Sequence, residues 1–99
     1  MTNSKLPEWV WVVVERRNEE ESFYGLEDNQ QQKFLPAFRN QDDAERCLAQ
    51  MTTAAGAKYE IQAIRLEEAG RAATKSGSEI FILDGQGTVL DRLTPSYDP

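Results

Sequence analysis

Ninety-nine residues with a formal net charge of −6, a pI near 4.6, no histidine and one cysteine exclude much before any motif is sought. The acidity argues against nucleic acid and anionic membranes, because binding to both is driven by clustered Lys and Arg. The missing histidine removes the commonest general base and metal ligand, and one cysteine forms neither an internal disulfide nor a zinc knuckle.

The length suits one domain over residues 1–99, with 1–7 and 95–99 as flexible tails. Residues 1–8 lack the apolar centre of a signal peptide, and the run Trp9 to Val14 is too short to cross a bilayer. A soluble, reducing, cytoplasmic setting is the expectation.

Trp9-Val10-Trp11-Val12-Val13-Val14 is aromatic or β-branched throughout, so it reads as a central strand covered on both faces. Residues 16–22 read as a charged connection, and Phe23-Tyr24-Gly25-Leu26 as a second strand in a hairpin with the first. Lys33 to Phe38 is a third strand. Its Pro36 cannot donate to a ladder, which points to an edge, a bulge or an unpaired stretch.

Asn40 is placed to cap a helix whose first turn holds Gln41, Asp42 and Asp43. Ala44, Cys47, Leu48 and Met51 form one helical stripe, fading near Thr52-Thr53 before Gly56. Lys58 to Arg65 reads as a fourth strand, and Leu66 to Ser76 as a second helix with the stripe Leu66, Ala69, Ala73 and a Gly77 stop. Glu79 to Leu83 is a fifth strand, Asp84-Gly85-Gln86-Gly87 a hairpin turn, and Thr88 to Leu93 the returning strand.

The order β-β-β-α-β-α-β-β predicts an α+β fold: a mixed, mainly antiparallel sheet with its two helices on one face. The third strand, first helix and fourth strand form a candidate right-handed crossover. With both helices on one face, the second apolar face of the Trp9–Val14 strand has no cover.

No catalytic constellation emerges, and no cofactor or metal is expected. Cys47 sits mid-stripe with nothing to activate it, as a small hydrophobe would. Gly85-Gln86-Gly87 leads into a strand, whereas a dinucleotide loop needs a third glycine and a helix; the carboxylate pattern of a calcium loop is also missing. Acidic clusters at 19–21, 27–28, 42–43 and 67–68 fall in loops or first helical turns, where solvent or the helix dipole accounts for them.

Trp9, Trp11 and Val13 share one strand face, with Tyr24 or Phe23 across the hairpin, and aromatics so placed read either as core or as a binding surface. Trp9, Trp11, Val13 and Tyr24 are the candidate interface, since Trp and Tyr concentrate at binding hot spots and an uncovered sheet face invites a partner. A homodimer or another protein is the expected partner, with neither nucleic acid nor membrane. The alternative is a small-ligand binder or enzyme with a pocket between the third strand and the first helix, for which Arg39, Asp43 and Tyr59 are the candidate residues.

Trp11 to Val14, Tyr24-Gly25-Leu26, Phe34 to Phe38, Asp42 to Arg46 and Tyr59 to Ile64 together resemble a family of small bacterial and plastid domains with no assigned function. The chain departs from that pattern in its closing hairpin after Leu83. Leu35-Pro36-Ala37-Phe38 with the acidic helix start is similar, less closely, to the SseB-like N-terminal domain. Neither resemblance implies a catalytic residue.

Overall fold

The computed structural model describes residues 7–51 and 55–93. Residues 1–6 of the expected 1–7 tail, the expected tail 95–99, and the fading of the first helix at Thr52-Thr53 lie outside the described residues. In chain order the elements are β1 (Trp9–Arg17), β2 (Glu20–Phe23), β3 (Leu26–Glu27), β4 (Lys33–Phe38), α1 (Gln41–Gln50), β5 (Lys58–Arg65), α2 (Leu66–Ser76), β6 (Glu79–Leu83) and β7 (Val89–Leu93). They form one open, mixed sheet of seven strands in which β4–β6 is the parallel pair and the other pairs are antiparallel. The α+β class and the mainly antiparallel sheet are as the sequence predicts.

β1 is the hub. One edge pairs with β5 from Trp9↔Arg65 to Arg16↔Lys58, and the other is shared between β4 (Trp11↔Phe38, Val12↔Ala37) and β2 (Val14↔Phe23 to Arg17↔Glu20). The sheet therefore forks. β1 and β4 part after two paired positions, and the β2–β3 segment enters between them, with Leu26 opposite Phe34. Leu35 and Pro36 fall in the gap between the β1 and β3 pairings of β4. A residue without an N–H suits a stretch where that edge has no ladder partner. Pro36 is thus in an interior strand, paired with Phe81 of β6 on one edge and without a ladder partner on the other.

The strand Trp9–Val14 extends to Arg17, and residues 16–22, expected as a charged connection, are mostly hairpin. Asn18 and Glu19 turn the chain with φ of 51° and 70°, the positive values that a two-residue hairpin loop requires. Arg16 and Glu21 face each other across the hairpin and form an ion pair. Phe23-Tyr24-Gly25-Leu26 is broken at Tyr24-Gly25, where the segment passes from β1 to β4; the Tyr24 N–H still donates to the Val13 carbonyl at 2.8 Å.

The two helices lie on opposite faces, which corrects the expectation that they share one. α2 buries Ala69 and Ala73 against Val10, Val12, Val14, Ala37, Ile64, Ile80 and Ile82. α1 buries Ala44 and Cys47 against Val13, Phe38, Phe81 and Leu83. Alternate residues of β1 point to opposite faces, so these are two cores on either side of one sheet. The reason lies in the connections. β4 and β5 run the same way but are separated by β1, so α1 carries the chain across β1 to the sheet margin. α2 brings it back over β1 and β4 to β6. Crossovers of one hand that travel in opposite directions place their helices on opposite faces.

Local chemistry holds both helices. The Asn40 side chain accepts from the Asp43 N–H at 2.8 Å, as a cap should. α2 follows β5 without a loop, its first N–H donating to the Glu8 carbonyl at 2.9 Å, and it ends at Gly77 in the left-handed region. In the β6–β7 turn the Asp84 carboxylate accepts from the Gln86 and Thr88 N–H groups, both at 2.9 Å. That turn rests on α1: a Cβ on Gly85 would stand 3.0 Å from the Arg46 Cδ and 3.1 Å from its Cβ, so only glycine fits without displacement.

Candidate functional site

β5 pairs with β1 over its whole eight-residue length, and among the described residues no strand pairs with its other edge. Beside it, at the start of β1, Trp9 is 49% exposed. The Arg65 guanidinium lies 4.9 Å from the Trp9 ring centroid and pairs with Glu8 at 2.9 Å. Trp11 is half-buried between Phe38 and Ala63, and Ala63 is exposed. This margin of the α1 face carries apolar surface because α1, ten residues long, reaches over Val13 but leaves Trp9 open.

The four candidate interface residues separate here. Trp9 and Trp11 line the open margin. Val13, at 1% exposure, belongs to the core beneath α1, so it offers a partner nothing. Tyr24 is half-buried, its ring edge-on to Tyr59 at 5.7 Å, and the Tyr59 hydroxyl donates to Glu15 at 3.1 Å. Burial first, then the neighbouring Tyr59, Glu15 and Cys47, hold the Tyr24 phenol above its ordinary range.

Arg39, Asp43 and Tyr59 are placed in three separate settings among the described residues. Arg39 is exposed in the β4–α1 connection, Asp43 serves the cap of α1, and Tyr59 on β5 turns to Tyr24 and Glu15. A hollow of about 360 Å³ does lie between β4 and the far end of α1, lined by Phe34 and Met51. Cys47, Phe81, Leu83 and Arg92 complete much of its wall. Phe34 and Phe81 stack at 4.4 Å, and the Arg92 guanidinium caps Phe81 at 4.9 Å. Pairing at the sheet's far side brings Arg92 there, and no local pattern marks it.

A second hollow, about 650 Å³, opens on the α2 face below the fork. Phe23, Leu26, Leu35 and Ala72 give it an apolar floor, and Ser22, Ser76, Ser78 and Lys33 a polar rim. It exists because β1 and β4 diverge, a tertiary event with no signature in any single segment.

Cys47 is 7% exposed, and burial, then the Asp84 carboxylate, raises its thiol above the ordinary value. A protonated thiol is a poor nucleophile and ligand. Among the described residues no group of three or more Cys, Asp or Glu side chains is arranged to hold a metal ion. Nor is any described helix long and apolar enough to cross a membrane.

The model of a family described as a domain of unknown function (DUF3110) matches residues 10–93, from β1 to the last residue of β7. The match runs through the closing hairpin, correcting the expected departure after Leu83. It bears out the first of the two resemblances, and the SseB-like likeness finds no support. No curated protein and no solved structure matches the chain.

Proposed function

We propose that this protein, which belongs to that family of domains of unknown function, is an association module that docks through the β1–β5 margin. The observation that carries this reading is the open edge of β5, flanked by the half-exposed ring of Trp9. Unpaired N–H and C=O groups along an edge strand are a template for another chain, and an adjacent tryptophan supplies an anchor. The surface is narrower than a whole sheet face, because α1 covers Val13. The module works in the cytoplasm, alone or as an accessory in a larger complex, and performs no catalysis. Its partner is protein, a second copy or another chain. A net charge of −6 sets nucleic acid and anionic membranes aside.

Co-purification from native cells tests it, with tagged and untagged chains expressed together so that a second copy is counted. The wild type should retain a stoichiometric partner that Ala63→Glu loses. A retained set unchanged by Ala63→Glu and by Trp9→Ser would overturn the reading.

The two hollows favour a second reading, a small-ligand binder, because volumes near 360 and 650 Å³ fall in the range of ligand pockets. A metabolite that raises the melting temperature by several degrees while leaving co-purification untouched would turn the argument to this reading.

A further inference from the structure

Among the described residues no strand covers the outer edge of β5, and the strand is long and regular, with eight consecutive positions paired to β1 and no bulge. The opposite margin of the sheet, β7, spans five residues and carries a register shift against Ile82 and Leu83. β5 is therefore the better template for a continuing ladder. We infer, resting on the association reading above, that its occupant is a second copy of the same strand, pairing antiparallel across a two-fold axis at Ile61.

The register follows from face and charge. In an antiparallel pair, opposed residues share a face. Two identical strands related by a two-fold axis normal to the sheet therefore pivot on one residue. A pivot at Glu60 sets two carboxylates directly opposite each other, which is unfavourable. A pivot at Gln62 sets Arg65, which already stacks on Trp9 and pairs with Glu8, directly opposite Tyr59 of the other copy.

A pivot at Ile61 does neither. On the α1 side it sets Ile61 against Ile61, and the large Tyr59 against the small, exposed Ala63. On the α2 side it sets Glu60 against Gln62, and Lys58 against Ile64. Opposed like charges are absent, and the half-buried side chains of Tyr59 and Ile61 gain cover. The sheet then runs continuously through both copies, and the dimer covers the β5 edge of each.

Sedimentation equilibrium of the full chain up to about 500 μM is the first measurement, since an edge-only contact is small and weak. A monomer–dimer equilibrium is expected, weakened about tenfold or more by Ile61→Lys, which opposes two ammonium groups at the axis. Ala63→Glu, at an exposed position, should weaken it similarly and guards against loss of fold in the first variant. In a Cys47→Ala background, a short bismaleimide should link Ile61→Cys chains faster than Glu60→Cys or Gln62→Cys chains. A strict monomer, a dimer indifferent to both variants, or faster linking at 60 or 62 overturns the inference. A monomer whose native co-purification still depends on Ala63 would sink this inference and leave the association reading standing.

Discussion

The two faces of the sheet are built from different materials. The α2 side is lined by Val10, Val12, Val14, Ala37, Ile64, Ile80 and Ile82, and the helix above it presents Ala69 and Ala73, both fully buried. The α1 side carries Val13, Phe38, Phe81 and Leu83, with Trp11, Tyr24, Phe34 and Tyr59 packed only partly against them. Short β-branched residues make a low, even floor on which an alanine-faced helix sits close. Rings stand taller, and a ten-residue helix resting on them covers the centre and leaves the margins. The hollow beside Met51 and the open ring of Trp9 are both products of that incomplete cover. The α2 face is continuous packing except below the fork; the α1 face is packing at its centre and surface at its rim.

The sharpest way to break this comparison is Phe38→Ala. Phe38 has no exposure, lies opposite Trp11 and supports α1. Its truncation should cost about 3–5 kcal/mol in urea unfolding, the range for a buried ring. A loss below about 2 kcal/mol would mean that the centre of the α1 face packs as loosely as its rim. Next in size is Ala73→Leu on the opposite side. A side chain added where α2 meets the sheet should cost about 1–3 kcal/mol through overpacking. A neutral result would show that α2 rides higher than its alanine stripe implies.

The contrast also marks what could be read in the sequence. Period-two runs, the Asn40 cap, the Gly77 stop and the Asp84 turn are local, and each falls where its residues dictate. The turn at Asn18-Glu19 was hidden because it places a glutamate at positive φ, where glycine would have announced it. The helix faces were hidden for another reason. The stripes Ala44-Cys47 and Leu66-Ala69-Ala73 say that each helix has a buried side, and only the direction in which each crossover travels says which face receives it. The doubly apolar β1 was the clue, since a strand covered on both sides already requires two layers. For the site, Trp9, Trp11 and Val13 share a parity that no pattern could divide. How far α1 reaches makes one surface, one margin and one core.

The smallest predicted effect asks whether the α1 face is sealed around Cys47. Burial, with Asp84 nearby, lifts the Cys47 thiol above its ordinary value of 9.0. While pH is below the unfolded value, both states hold the proton and stability is whole. As pH climbs through that value toward the raised one, the unfolded chain releases its proton first and stability falls. Tyr24, lifted from 10.0 chiefly by burial, adds a second decline in the same direction at higher pH. Urea unfolding followed between about pH 8 and 10 should therefore lose stability in the wild type and lose less in Cys47→Ala, whose first component is gone. The two declines should converge above that window, where Tyr24 acts in both chains. Parallel slopes throughout would mean that water reaches the thiol past Met51 and the β6–β7 turn. The hollow beside it would then be part of the surface, and the division of this face into a packed centre and an open rim would fail at Cys47.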